Sequence, residues 1–255
     1  LECYRGQIDD TCIWAGWTTS ASNSITVKAA DGEGHGGVVD AGFVIKSITS
    51  YVPCINLDQR YVTFYGIQLS RTSSGSCFTT SSLPEFLSTI DSCITTGGGN
   101  TGEAGIGARR MNIRNCLVIS NSTVGIDAIS SYFGNLVENC TVVGCGIGFE
   151  GSTGGDSDLE STRYYNNVGY GNTTDYGTGF VRTGSTANAS GDATAPGTNP
   201  QTGVTTADFE DYAGGNYIPA ASGKLDGTGA DLSADFTTDI AGITRTVPWT
   251  IGAYA

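Results

Sequence analysis

The segment Asn115-Cys116-Leu117-Val118 returns twenty-four residues later as Asn139-Cys140-Thr141-Val142, and Ile113 returns as Val137. A second column recurs out of phase with it, as Gly105-Ile-Gly-Ala, Gly125-Ile-Asp-Ala and Gly146-Ile-Gly-Phe, and more loosely as Gly75-Ser-Cys-Phe and Gly177-Thr-Gly-Phe. Each period therefore carries at least two short strands. A period of about 20 to 30 residues built from strand-like pieces predicts a solenoid. The lack of helix-period segments between the pieces excludes leucine-rich and ankyrin-type arrays. What remains is an all-β chain folded as a parallel β-helix.

The register accounts for the residue types. Ile113 and Val118 are five apart, as are Val137 and Val142, so both members of a pair face inward only if a corner interrupts the alternation between them. Asn115 and Asn139 sit at that corner, where Asn tolerates a bent backbone. Successive strands lie about 4.8 Å apart, so one Asn can hydrogen-bond the next along the stack. Cys93, Cys116 and Cys140, spaced by 23 and 24, form a neighbouring column in which free thiols pack as small apolar groups. These five residues are read as a structural ladder.

Composition agrees: 38 Gly against 6 Pro, 1 Met and 1 His suits short strands joined by tight turns. A net charge of −13 argues against nucleic acid and anionic membrane as partners, since both call for a positive surface. No apolar run approaches the length of a membrane span. Eight Cys without a C-x-x-C pair or a nearby His disfavour zinc. Cys3 with Cys12, and Cys54 with Cys77, are conceivable disulfides, but mostly reduced thiols are expected. A chain that opens on Leu1 is expected to be processed or cut at its N-terminus.

The chain divides into three stretches. Residues 1–182 form the β-helix body, with first coils or a cap over 1–60 and regular coils over 61–182. Within the body, Val62 to Leu69 changes phase around Gly66, which marks another corner. Loops are expected near Thr79 to Leu87 and Gly151 to Glu160. Residues 183–207, rich in Ser, Thr, Ala, Gly and Asn, read as a low-complexity loop. Residues 208–255 are aperiodic and read as a closing or docking segment.

Asp208-Phe-Glu-Asp-Tyr-Ala-Gly-Gly-Asn-Tyr217, Ser222-Gly-Lys-Leu, Asp239-Ile-Ala-Gly-Ile-Thr-Arg245 and Trp249-Thr-Ile-Gly-Ala-Tyr254 resemble the closing segment of pectate-lyase-like right-handed parallel β-helix proteins. The opening, Glu2-Cys-Tyr-Arg-Gly-Gln-Ile-Asp-Asp10 through Gly16-Trp-Thr-Thr and Ile25-Thr-Val-Lys-Ala-Ala-Asp-Gly-Glu33, is similar to uncharacterised β-helix virion structural proteins of tailed bacteriophages. The resemblance implies that Asp239 and Arg245, with Trp249 and Tyr254, close the last coil. It implies nothing catalytic.

Enzymatic candidates follow from residue chemistry. Glycosidases of this architecture need carboxylates clustered on one face. Asp127 is the one carboxylate outward in the Gly-Ile-x-Ala column, where Gly107 and Gly148 are its expected neighbours. Gly34-His35-Gly36 and Asp9-Asp10 resemble elements of polygalacturonases, but they precede the regular coils, and the Asn-Thr-Asp and Arg-Ile-Lys elements of that family are missing; a solvated loop is expected there. A lyase needs a base beside a carboxylate-bound Ca²⁺. Arg109, Arg110, Arg114 and Arg163 are the candidate bases, and Asp127, Glu150, Asp156, Asp158 and Glu160 the candidate calcium ligands. No catalytic residue and no resident cofactor is otherwise expected. Sequons occur at Asn121, Asn139, Asn172 and Asn188, with Asn188 expected to be the most accessible.

The expectation that covers more of the chain is a non-enzymatic part of a tailed phage particle: a capsid decoration protein, or a piece of a fibre or spike, displayed at the virion surface. Its partners would be capsid or tail subunits, met through an open end of the solenoid, with trimer formation about a symmetry axis. A secreted polysaccharide lyase or glycan-binding adhesin is the alternative. Tyr164, Tyr165, Tyr170 and Tyr176 would then supply stacking surface for a host glycan.

Overall fold

The computed structural model describes residues 1–80, 88–97, 103–119, 123–128, 134–151, 162–177 and 184–255. The chain winds as a parallel β-solenoid. Each turn gives one strand to each of three sheets, as in Met111–Arg114, Leu117–Ile119 and Val124–Ala128. Among the described residues the first and third sheets have seven strands and the second has nine, every ladder being parallel and in register. The only other sheet there is a two-stranded antiparallel hairpin, Phe209–Asp211 with Asn216–Pro219. The one helix is a 3₁₀ turn, Thr206–Asp208, so no helix among the described residues is long and apolar enough to cross a membrane.

The twenty-four-residue repeat corresponds to one turn. Ile113 stacks on Val137 and Val118 on Val142, all fully buried. Between them the backbone turns through a left-handed residue, and this corner stacks from turn to turn as Gly66, Ser92, Asn115, Asn139 and Asn166, with φ between 47° and 68°. Backbone bonds run up the column, from Gly66 N–H to Asp91 O and from Asn139 N–H to Tyr165 O. Left-handed φ disfavours most L-residues but is tolerated by Asn, which explains the residue type.

The interior is a column of side chains. Ile55, Phe78, Ile106, Ile126, Phe149 and Tyr176 stack along the inner face of the third sheet. Phe149 and Tyr176 lie nearly parallel at 4.7 Å between centroids. Each such residue removed from water contributes about 1.5–3 kcal/mol before entropy is counted. Gly125 is required by close approach, because a Cβ there would lie 2.3 Å from Val142 Cγ1 and 2.6 Å from Gly148 O. All eight cysteines are free thiols, and Cys93, Cys116 and Cys140 are fully buried.

Residues 1–60 form first coils, one of the two alternatives expected, since Glu2–Cys3, Gly6–Ile8 and Cys12–Ala15 already pair with the strands of the next turn. Two stretches sit differently from the sequence expectation. The stretch expected as a low-complexity loop carries Ala189–Ser190 and Gln201–Thr202, which extend the second sheet. Its small residues are what a tapering end needs, because the last turns have little room inside.

The second difference is the larger. Residues 208–255 pack on the last turn, where Phe209, Leu225 and Ile251 meet Ala189 and Val204, and then run back along the flank of the solenoid as a return arm. Phe209, Leu225 and Ile251 pack on Val168, while Ile240, Ala253 and Tyr254 pack on Leu117 and Ile94, two and three turns further back in the stack. Tyr254 donates its hydroxyl to Gly37 O, in the loop that follows the second strand of the first sheet, Ile25–Ala29.

Candidate functional site: the sealed flank and the open flank

The arm is held by the corners. Asn139 donates its side-chain amide to Thr250 O and Gly252 O at 3.2 and 3.1 Å. Asn166 bonds both ways with Ala230, through Nδ2 to the carbonyl and Oδ1 to the N–H. Asn115 donates to Thr238 O and receives Arg245 Nη2 at 3.0 Å. Within the column, Asn166 donates to Asn139 Oδ1 at 3.2 Å, while Asn115 donates to Asp91 Oδ1. The Asn column thus spends most of its side-chain bonds sideways, on the arm. That lateral role has no local signature, because the partners lie 64 to 130 residues away.

Arg245 is buried and caps several carbonyls at once, those of Thr250, Gly252, Ala253 and Tyr254. Its guanidinium also lies over the Trp249 ring, at 5.3 Å. Burial lowers its pKa to about 10, against the opposing pull of Asp239. Asp239 accepts from Ala241, Ile243 and Ala255 N–H groups and so holds the arm's own turn. These two residues, with Trp249 and Tyr254, therefore lock the arm onto the middle turns instead of closing the last coil.

Beside the corners, the outward column of the first sheet reads Lys28, Tyr65, Asp91, Arg114, Glu138, Tyr165. Arg114 Nε meets Asp91 Oδ2 at 2.8 Å, and its guanidinium covers Phe236 of the arm. Glu138 is 2 % exposed, and burial, reinforced by Asp235, raises its pKa to about 7 against the opposing charge of Arg114. Arg114, an expected base, is therefore engaged in holding structure.

His35 is not in a solvated loop. It is 3 % exposed, its Nδ1 accepts from Gly37 N–H, and its Nε2 meets Ser92 O at 2.8 Å, which assigns the proton to Nε2. Desolvation lowers its pKa to about 4. Asp9 and Asp10 lie apart, exposed on the first turn.

Among the described residues nothing lies over the outer face of the third sheet as the arm lies over the second. The outward column of the third sheet reads Ile13, Asn56, Thr79, Gly107, Asp127, Glu150. The neighbour of Asp127 is Glu150, not Gly148. Ile126 stacks on Phe149, which moves the Gly-Ile-Gly-Phe element two positions out of the register that its sequence suggests. Burial and then the charge of Asp127 raise the pKa of Glu150. Arg109 and Arg110 follow Gly107 at the corner leading to the first sheet, where Arg109 N–H donates to Thr80 Oγ1. Arg163 is exposed at the start of the last complete strand of the first sheet.

Asp156, Asp158, Glu160 and Asn121 lie outside the described residues. Among the described residues no three His, Cys, Asp or Glu side chains form a group that could hold a metal ion. Asp127 and Glu150 alone fall short of the six to eight or so oxygens that Ca²⁺ takes. Of the tyrosines, Tyr164 and Tyr176 are core residues, and Tyr170 packs on Phe209 and Tyr212 under the arm. Asn188 is fully buried, its amide donating to Tyr164 O and Pro196 O, so it is not the accessible sequon expected.

No protein-family model and no curated protein matches the chain. Among solved structures it is similar to the crystal structure of pectate lyase Pel9A, with a TM-score of 0.59 and 12% identity over 99% of this chain and 86% of that one. It has the pectate-lyase-like fold. At that identity the likeness speaks for the fold alone. This pectate-lyase-like β-helix accordingly has one flank sealed by its own C-terminal segment and one flank, with two stacked carboxylates, open.

Proposed function

We propose that the chain is a non-enzymatic structural protein of a tailed phage particle, a capsid decoration protein or a section of fibre or spike at the virion surface, with capsid or tail subunits as partners. The observation that carries this reading is where its buried charge goes. Arg114 lies over Phe236 of the return arm and Arg245 donates to Asn115, so both fasten the arm to the solenoid; Asp239 holds the arm's own turn, Glu138 is buried beside Arg114, and His35 ties a loop to the same corner column. Such an arrangement stiffens a rod instead of preparing groups for reaction, because these side chains are engaged by protein partners. The similarity of the opening residues 2–33 to phage β-helix proteins supports the setting.

The test is cryo-electron microscopy of particles carrying the chain. The rod should recur in symmetry-related copies fixed to a capsid or tail surface. Particles assembled without it that are unchanged in density at every surface site would sink the proposal.

A second reading is favoured by one observation, the in-register pair Asp127 and Glu150 on the open third sheet, with Arg109 at the next corner. On this reading the chain engages an extracellular polysaccharide along that flank, as a glycan-binding adhesin or a Ca²⁺-dependent lyase. Incubation with uronate-containing polysaccharides, with and without Ca²⁺, separates the two, since a lyase releases unsaturated products. Absence of both binding and product across acidic and neutral polysaccharides would retire it.

A further inference from the structure

Apart from the thiol column at the corners, two cysteines stack where the chain passes from the second sheet to the third. Ile55 pairs in register with Phe78, and Ile55 N–H donates to Cys77 O, so Cys54 stacks directly on Cys77, one turn away. Directly stacked residues have Cα atoms about 4.8 Å apart, inside the roughly 4.4–6.8 Å that a disulfide spans. Both side chains are fully buried, and their thiols are in hydrogen-bonding contact. Cys54 Sγ also donates to Ser70 O at 3.2 Å.

A buried cation sits beside the pair. The Arg71 guanidinium donates to Thr49 O and Val52 O in the connection before Cys54, and to Ser74 O and Ser76 O in the connection before Cys77. It therefore draws the two connections together where the thiols meet. The contact with Cys77, helped by the charge of Arg71, lowers the pKa of Cys54 against the opposing effect of burial, while the same contact and burial raise that of Cys77. One thiol disposed to ionise, with a second in contact with it, is the arrangement that thiol–disulfide exchange uses. The corner column differs. Burial raises the Cys93 and Cys116 thiols well above their usual range, and Cys116 and Cys140 lie behind corners that the arm fastens.

We infer that Cys54 and Cys77 form a redox-sensitive modification site, which a small dissolved disulfide such as oxidised glutathione converts to an intramolecular disulfide. The Cys54 thiolate attacks one sulfur of the reagent, forms a mixed disulfide and expels the other half, which takes up the proton that Cys54 lost. Cys77 then attacks the Cys54 sulfur and expels the second half, which takes up the Cys77 proton. Two protein thiols are oxidised and one small disulfide is reduced to two thiols. The reagent reaches Cys54 through the connection 48–53, whose Ile48 and Tyr51 are 61% and 77% exposed. The closed pair staples the second turn to the third where Arg71 already joins them, and it stands independently of the particle role proposed above.

Mass spectrometry of the full, folded chain tests it. After incubation with oxidised glutathione and alkylation of the remaining thiols, the chain should carry two fewer alkyl groups than the eight of the reduced chain. Tryptic digestion, which cuts at Arg60 and Arg71 between the two cysteines, should yield a linked peptide joining Cys54 to Cys77. Cys77→Ser should stop at the mixed disulfide and retain one glutathione on Cys54, whereas Cys54→Ser should keep every remaining thiol reduced, with circular dichroism that of the parent in both. The pairing is read on the parent chain, so it does not depend on either variant folding. Eight thiols still free after oxidation, a cross-link at Cys12–Cys54 or Cys116–Cys140 instead, or loss of thiols at all positions together overturns the inference.

Discussion

The second and third sheets are built from the same turns and packed on the same core, yet in the middle turns one is buried on both faces and the other on one. In the second sheet, inward Val118 and Val142 alternate with outward Leu117 and Thr141, all of them buried because the return arm lies over the outward set. In the third sheet, buried Ile126 alternates with half-exposed Asp127, and buried Phe149 with half-exposed Glu150. Doubly covered strands read as continuous apolar runs, and singly covered strands alternate. The lesson is that a solenoid's flanks are assigned by what the chain does after the last turn.

The sharpest way to break this comparison is to remove the arm. Deleting residues 208–255 should expose Ile94, Leu117 and Val168 together and leave a chain that aggregates or fails to unfold cooperatively, as followed by thermal melts and light scattering. A truncated chain that melts cooperatively within a few degrees of the parent would mean that the arm is an accessory.

A smaller change probes the lock itself. Arg245→Ala strands Asn115 Oδ1 and several buried carbonyls, and should cost about 3 kcal/mol in chemical denaturation. An equal change at an exposed position of the first sheet, Arg163→Ala, should cost less than about 0.5 kcal/mol.

The sealed flank should also carry a pH signature. Glu138 has its pKa raised to about 7 in the fold, so the native state holds that proton more tightly than the unfolded chain does. The associated stability is full at pH below the ordinary carboxylate range and is lost as pH rises through about 7. The expected loss is about 3 kcal/mol, and Glu138→Gln should flatten it. His35 acts in the opposite sense: its pKa is lowered to about 4, so its contribution is full above the ordinary histidine range and falls away as pH drops towards 4. Denaturation midpoints measured across pH for the parent and for Glu138→Gln resolve the first slope. An unchanged slope in Glu138→Gln would show that the carboxyl is solvated.

The smallest effect on stability is expected on the open flank. Asp127→Ala and Glu150→Ala should each shift the denaturation midpoint by less than about 0.5 kcal/mol. In the polysaccharide reading the same variants abolish binding or product formation. Unaltered polysaccharide binding in both would move any glycan contact away from this pair.

Much of the solenoid was legible because its causes are local and repeat. Asn115 and Asn139 mark a left-handed corner, Ile113 and Val118 the inward strands around it, and Cys116 and Cys140 a thiol column. Each follows from pairing a turn with its neighbour. The candidate site was legible only in part. Asp127 was visible as an outward carboxylate, but its partner was misassigned to Gly148, because a two-residue slip between Gly125-Ile and Gly146-Ile puts Ile126 against Phe149. A slip of two keeps every side chain on its face, so alternation cannot reveal it. His35 was misjudged for a different reason: its partner Ser92 is 57 residues away.

By itself the amino-acid sequence determined that this chain coils into parallel turns, where the corners lie and which side chains enter the core, because each of these depends on spacing within and between adjacent turns. Tertiary structure alone decided that residues 208–255 lie along the second sheet, that Asn115, Asn139 and Arg245 fasten them, and that the third sheet keeps its acidic pair exposed. Those outcomes depend on contacts across many turns between an aperiodic segment and a periodic one. No periodicity in the chain records them.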